Sequence, residues 1–317
     1  MQSKNSITII SNFRIDSHER FSRMKDSFFS FKDANIYEWI INIRGPYKEE
    51  TEFFLRKNLK QNLKIFNKES KLGWKTDTKS ITKYINTSHV MYWVEDHICI
   101  GGYQVFNKII SEIIENKIDH LCYSFFKFGM NLKSFSETIH ENKNHLILVN
   151  YDKKTHSLRS KYIDRFDLEH SYLVSMCSIT SKKLFINLVT KKDPLIPRWN
   201  KLVPFDFEKN QYDVHWLPYK LGVLKQEFFA SIDDDNNYPG SSLASRGLYD
   251  TNISREHMLD NRNKTFRSKL KLKNRILKYS IVRNIYYVII KFIIDIREKI
   301  NSLYSKFFFY KIINNCY

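Results

Sequence analysis

Along the first 130 residues the hydrophobic pattern switches between short apolar runs and helical spacing, and the switching predicts strand and helix in turn. Residues 6–11 form an apolar run of the kind found in a buried strand. Asn12-Phe13-Arg14 follows as a loop. Asp16 or Ser17 then caps a helix to about Phe31, with Glu19 in its first turn and Phe21, Met24 and Phe28 on one face. Residues 36–43 predict a second strand, closed by Arg44-Gly45-Pro46. Residues 48–63 predict a helix whose acids Glu49, Glu50 and Glu52 suit the positive end of its dipole. A short strand over 63–67, a polar helix over 76–86 and a fourth strand over 90–94 come next. Beyond Gly101-Gly102 the pattern predicts a helix over 105–115 and a strand over 118–128. This alternation predicts a mainly parallel sheet with helices on both faces.

The middle of the chain is less regular. Residues 145–151 and 183–190 read as strands, 172–179 as either type, 191–210 with three prolines as loop, 222–230 as a short helix and 231–250 as a long polar loop. From about Arg262 the pattern changes again. Val282, Ile285, Ile289, Ile293, Ile296, Ile300, Leu303 and Phe307 recur at helical spacing as one apolar stripe. The expected organisation is a domain over 1–260 and a basic amphipathic helical tail over 261–317.

Charge sharpens that division. Residues 261–312 hold 14 Lys and Arg against two acids, a net of +12 out of the chain's +18. Most of the excess is therefore an appended surface and not a property of the first 260 residues. A basic amphipathic helix of this kind lies on an anionic membrane surface, or packs as a helical hairpin on the body or on another subunit. A nucleic-acid-binding protein is the competing reading of +18, but no nucleic-acid-binding motif is present and no specific nucleic acid is expected. The four cysteines are dispersed and make no C-x-x-C, which fits a reducing compartment. The early apolar run of residues 7–10 is too short for a signal-peptide core, and no stretch reaches the about 20 apolar residues of a membrane span. The expected location is cytoplasmic, peripheral on the inner face of the membrane.

Four groups of residues carry candidate chemistry. The first is Glu95-Asp96-His97, which closes the fourth strand. In an open α/β sheet, ligands bind beyond the carboxyl ends of the strands. Oxygen and imidazole donors there suit a divalent cation, Mn²⁺ or Mg²⁺, with Glu95 and His97 sharing it along an extended segment or Asp96 binding from a turn. The second is Asn12-Phe13-Arg14 on the same edge, where Arg14 suits a phosphate and Phe13 a base, or where the three simply enter the helix; Arg44 is placed likewise. The third is Gly73-Trp74, a nucleotide contact or a core tryptophan. The fourth is His215, able to complete a metal shell, with Asp233, Asp234 and Asp235, from which a general base can be drawn. No P-loop lysine motif, G-x-G-x-x-G, G-x-S-x-G or H-E-x-x-H occurs, so P-loop ATPases, dinucleotide dehydrogenases, serine hydrolases and zincins are disfavoured.

The order of these parts resembles a GT-A glycosyltransferase of the family 2-like kind, common in bacterial polysaccharide assembly. The resemblance covers residues 6–128 and extends more weakly to 250. V-E-D-H at Val94 to His97 stands where that family carries an Asp-x-Asp signature, and Asn42-Ile43-Arg44-Gly45 stands where it carries an acidic turn. The resemblance implies a GT-A-like, mainly parallel α/β fold and a nucleotide-sugar donor bound by Asn12, Phe13, Arg14, Arg44, Gly73, Trp74, Glu95 and Asp96. It also implies a cation at Glu95, Asp96, His97 and His215, a base among Asp233, Asp234 and Asp235, and a glycan or lipid-linked acceptor. A non-catalytic relative that kept the fold is the remaining alternative.

Overall fold

A computed structural model describes residues 6–59, 62–70, 74–122, 135, 138, 140–165, 177–190, 219–233, 242–249 and 289. The chain divides into two compact units, one of Met1–Lys191 with Arg198–Arg255 and one of Lys192–Pro197 with Glu256–Tyr317. Of the second only Ile289 is among the described residues, so the amphipathic tail predicted over 261–317 lies outside them.

The first unit is a mixed α/β structure. In chain order its elements are β1 (Ile7–Arg14), α1 (His18–Phe31), β2 (Ile36–Arg44), α2 (Lys48–Asn58), β3 (Leu63–Phe66), α3 (Trp74–Ile81) with a 3-10 turn at Thr82–Tyr84, β4 (His89–Tyr92), β5 (His97–Cys99), α4 (Tyr103–Glu115), β6 (His120–Cys122), β7 (His140–Asn142), β8 (Leu146–Tyr151), α5 (Lys153–Arg165), β9 (Ile179–Ser181), α6 (Lys182–Thr190), β10 (Tyr219–Leu224) and β11 (Phe229–Ser231). Nine strands form one sheet in the order β3-β2-β1-β4-β9-β6-β10-β8-β7, and β5 pairs with β11 in a separate ribbon. Strands β1 to β4 are parallel, β10 runs parallel to β6, and β9 and β8 are antiparallel to their neighbours. The expected mainly parallel sheet with flanking helices is what the chain forms.

Strand alternation sends successive side chains to opposite faces. On one face, Phe28 and Phe31 of α1 meet Trp39 and Trp93, with ring centroids 5.4–5.7 Å apart for Phe28–Trp39, Phe31–Trp39, Phe31–Trp93 and Trp39–Trp93. On the other, Ile10, Ile40, Val90 and Tyr92 pack with Trp74 and Ile81 of α3 and with Phe185 and Val189 of α6. Each such buried side chain stabilises the fold by about 1.5–3 kcal/mol relative to exposure. Ser17 caps α1, its hydroxyl accepting from the Arg20 amide. Gly45 turns the chain from β2 toward α2 at φ +94, where an added Cβ would sit 2.4 Å from the Ile15 carbonyl oxygen.

Several expectations are corrected. Asn12, Phe13 and Arg14 are not a loop but the last residues of β1, paired with Asn42, Ile43 and Arg44 of β2, and the helix expected over 48–63 ends at Asn58. Residues 183–190 are helical, within α6: Leu184, Phe185, Leu188 and Val189 are its buried positions, a helical spacing hidden in a run apolar enough to read as a strand. Residues 222–230 are not a helix but parts of β10 and β11 with a bend between, because Leu221, Val223 and Leu224 find partners on β8 and β6. Strand β4 ends at Tyr92, two residues early, which places Glu95 and Asp96 in a turn and starts β5 at His97. The strand expected over 118–128 is described only as β6, and residues 123–134 lie outside the described set.

Candidate functional site

The carboxyl ends of β1 and β2 lie in register, with Asn12 beside Asn42 and Arg14 beside Arg44. Asn12 is buried and fully engaged: its amide donates to Thr78 Oγ1 at 2.9 Å and to the Trp74 carbonyl at 3.2 Å, and its carbonyl accepts from Asn42 at 2.9 Å. Arg44 is buried beneath the edge, with Nη2 3.4 Å from the Asn12 carbonyl. Burial pulls its pKa down, against the opposing pull of Tyr92 and Glu69. Arg14 is exposed and pairs with Glu69 at 2.5 Å.

Like the buried Asn12 and Arg44, the two aromatic residues predicted as nucleotide contacts are interior. Phe13 is 2% exposed and sets its ring edge-on to Trp93 at 4.7 Å, so it has no face for a base. Trp74 is 2% exposed, and its indole N–H donates to the Tyr92 hydroxyl at 2.8 Å. Both are large apolar groups on elements whose inner side faces the core, and burial wins. Gly73 lies outside the described residues.

The β4–β5 turn carries the charged triplet, and helix α1 holds it. The Trp93 amide bonds to the Ile10 carbonyl at 2.9 Å, and its indole N–H donates to Ser27 Oγ at 2.9 Å. Ser27 Oγ in turn donates to the His97 carbonyl, and Ser30 Oγ accepts from the Cys99 amide at 2.9 Å. Glu95 Oε1 lies 3.6 Å from Arg20 of α1, whose Nη1 also donates to the Arg14 carbonyl at 3.0 Å. Asp96 Oδ1 lies 2.7 Å from His97 Nδ1, and the imidazole itself is 1% exposed. His97 therefore faces inward as a partner of Asp96, where an outward ligand was expected. A ring in that position holds the carboxylate beside it.

Strand β11 brings a distant acid to the same place. It runs antiparallel to β5, with Ser231 opposite His97, and the Ile232 amide donates to the Asp96 carbonyl at 2.8 Å. Asp233 is next in the chain. Its Oδ2 accepts from Arg23 Nη1 at 2.6 Å, and Arg23 Nη2 donates to Glu19. Burial lowers the Arg23 pKa, but the two carboxylates outweigh it and hold the group above its ordinary value. Asp234, Asp235 and His215 lie outside the described residues.

The structure thus joins Asn12, Arg14 and Arg44 to Glu95, Asp96, His97 and Asp233 along one sheet edge, with Arg20 touching both groups. The residues that sequence reasoning missed are Arg20, Arg23, Ser27 and Ser30, the polar stripe of α1. Their signal is the spacing of three and four that places them on one side of the helix, beside its apolar face. For a cation, the described donor set is the carboxylate pair Glu95 and Asp96. Among the described residues no group of three His, Cys, Asp or Glu side chains is placed to hold a metal ion. A pair fits Mg²⁺ or Mn²⁺ if substrate phosphates supply further oxygens, since such ions bind through one or two carboxylates plus phosphate.

No family model matches the chain, and no curated protein matches it. Several solved structures do. Crystalline S. aureus TarS 1-349 in complex with UDP is 11% identical, with a TM-score of 0.43 over 71% of this chain and 59% of that one. The same fragment with UDP-GlcNAc is 12% identical, with a TM-score of 0.42 over 73% and 59%. HddC from Yersinia pseudotuberculosis is 10% identical, with a TM-score of 0.39 over 71% of this chain and 93% of that one. The match thus spans about three fifths of the TarS fragment's length.

Proposed function

We propose that this chain is a glycosyltransferase that moves a sugar from a nucleotide-sugar donor to a glycan or lipid-linked acceptor at the cytoplasmic membrane surface. The observation that carries the reading is that the Glu95–Asp96 turn at the carboxyl end of β4 is hydrogen-bonded to Ile232, the residue before Asp233, and that Glu95 and Asp233 are both tied to α1, through Arg20 and Arg23. In glycosyl transfer the bond from the anomeric carbon to the β-phosphate oxygen breaks, and the nucleoside diphosphate leaves with the electron pair. A new bond forms from the acceptor oxygen to the anomeric carbon, and the acceptor proton goes to a carboxylate. Asp233 is the described candidate for that base. Arg14 and Arg20 supply fixed positive charge near the leaving diphosphate, and such preorganised charge is often the largest catalytic contribution. A divalent cation held by Glu95 and Asp96 would supply further charge neutralisation there.

The test is a thermal-shift panel of nucleoside diphosphates and sugar nucleotides, each with and without Mn²⁺. A ligand that binds only the folded chain raises its apparent stability by an amount set by concentration over Kd. One class of nucleotide raising the midpoint supports the reading; a flat panel sinks it and leaves the non-catalytic relative. For the membrane part, the predicted tail residues Arg283, Lys291 and Lys306 would meet headgroups while its aromatic residues enter the interface. Flotation of the full chain with phosphatidylglycerol vesicles should weaken in Ile289→Glu; equal flotation sinks the tail's role.

A further inference from the structure

Helix α1 carries more than an apolar face. Arg20, Arg23 and Asp26 stand three residues apart on it, and each meets a different part of the site. Arg20 faces Glu95, Arg23 binds Asp233, and Asp26 accepts from the Tyr249 hydroxyl. The segment after β11 is thus tied to α1 at two points, Asp233 and Tyr249, while its backbone is tied to the β4–β5 turn through Ile232 and Asp96.

Arg23 is the unusual member. It is 3% exposed, a guanidinium buried between two carboxylates, Glu19 on its own helix and Asp233 from 210 residues away. A buried ion pair of this kind is weak evidence for stability, because desolvation offsets most of the attraction. Its better-attested use is to hold a group in one place, and arginine does this well because its planar fork offers donors in fixed directions. Here the fork spans Glu19 and Asp233, so the position of Asp233 is referred to α1, the same helix that holds Glu95 through Arg20 and β5 through Ser27 and Ser30.

We propose that Arg23 is the positioning residue of the site: it fixes the Asp233 carboxylate against α1, in line with the Glu95–Asp96 turn, so that acceptor and donor ends of the reaction share one rigid reference. This rests on the glycosyl-transfer reading above. Arg23 takes no part in bond making. The acceptor proton passes to Asp233, the acceptor oxygen bonds to the anomeric carbon, and the diphosphate leaves with its electron pair.

The experiment measures nucleoside diphosphate release by the full chain from UDP-, GDP-, CDP- and dTDP-sugars, and then kcat and donor KM for the sugar nucleotide that turns over fastest. Arg23→Gln is expected to lower kcat by about 10- to 100-fold, the scale of a misplacement near one ångström, with donor KM changed less than about twofold. Arg23→Lys, which keeps the charge but not the fork, is expected to fall between wild type and Arg23→Gln. If Arg23 acts through Asp233, adding Arg23→Gln to Asp233→Asn lowers kcat no further, because the two changes remove one interaction. Multiplying effects, a donor KM that rises in step with the kcat loss, or an unchanged kcat each overturn the role of Arg23. Should Arg23→Gln fail to fold, Arg23→Lys decides alone: a reduced kcat at unchanged KM supports the role and a wild-type kcat overturns it. Should Asp233→Asn leave no measurable turnover, the single variants decide. A wild type that releases no nucleoside diphosphate from any donor overturns the glycosyl-transfer reading and this inference with it.

Discussion

The two edges of the parallel half of the sheet bury the same residue types to opposite ends. At the amino edge, Glu38 is 1% exposed and accepts from Thr8 Oγ1 at 2.8 Å, from the Asn86 amide at 2.6 Å and side chain at 2.9 Å, and from Lys64 at 3.0 Å. Thr87 extends the network to the Thr8 amide and the His89 carbonyl. Four donors on one carboxylate leave it little capacity for a ligand. At the carboxyl edge, the Glu95 and Asp96 side chains are 13% and 23% exposed, with Arg20 3.6 Å from Glu95 and His97 2.7 Å from Asp96. A sealed carboxylate contributes rigidity, and a partly exposed one keeps surface open to a substrate. Burial of charge alone therefore does not mark a site: Glu38 is sealed at 1% exposure, while the acids at the ligand edge stay partly exposed.

Removing the closed network should have the larger effect on stability. Glu38→Ala leaves the Thr8 hydroxyl and the Asn86 donors without their acceptor while the 40% exposed Lys64 turns to solvent, and should cost about 2–3 kcal/mol in denaturant unfolding, with activity per folded molecule retained. A loss below about 1 kcal/mol would break the distinction between the edges. The converse variant is Asp96→Ala. Turnover should fall about 10²- to 10³-fold, as for loss of one preorganised electrostatic group, while stability should change less than in Glu38→Ala, because this carboxylate is 23% exposed. Full activity in Asp96→Ala would remove the carboxyl edge from the mechanism.

Acid should separate the contributions more finely. Burial alone would raise the Glu38 pKa, but the bonds from Asn86, Thr8 and Lys64 hold it below its ordinary value. Its stabilisation is therefore complete above the unfolded glutamate pKa of about 4.3 and fades as pH falls through the lower folded value. His120, buried between β9 and β10, is pushed down to about 3 by burial. Between about pH 6.5 and 3 the unfolded chain binds a proton there and the folded chain does not, so stability declines by up to about 1.4 kcal/mol per pH unit. Urea midpoints from pH 7.5 to 5 should fall in the wild type and fall less steeply in His120→Gln, where His89, also held below its ordinary value by burial, keeps part of the slope, whereas Glu38→Ala should keep the wild-type slope in that range. The smallest effect is expected at Arg14→Ala. Its pair with Glu69 is about half exposed on both sides, so stability should move by less than about 0.5 kcal/mol, and a weaker nucleotide midpoint shift would mark its role at the diphosphate.

How much was readable in advance follows the same division. The order and type of the elements over residues 7–58 are legible because the amphipathic pattern, the Ser17 cap and the Arg44-Gly45-Pro46 stop are local signals; the last three residues of β1 and the end of α2 are not, because strand pairing and the Leu59 cap set them. Residues 183–190 and 222–230 were misread because short apolar runs carry both periods, and the choice between them is made by neighbours on other elements. At the site, the charged turn at Glu95 and Asp96 and the acid at Asp233 were visible as residue types. The inward turn of His97, the burial of Phe13 and the role of α1 were not.

The amino-acid sequence by itself determined the strand–helix alternation, the parallel run of β1 to β4 and the delivery of acids to the end of β4, because these depend on spacing along the chain. Tertiary structure alone decided which charges meet. Arg23 and Asp233 are 210 residues apart and become neighbours only because β11 pairs with β5 while Ser27 and Ser30 pin β5 to α1. No local period encodes such a meeting; it arises from packing two distant segments against one helix, and at that meeting the chemistry of this edge is assembled.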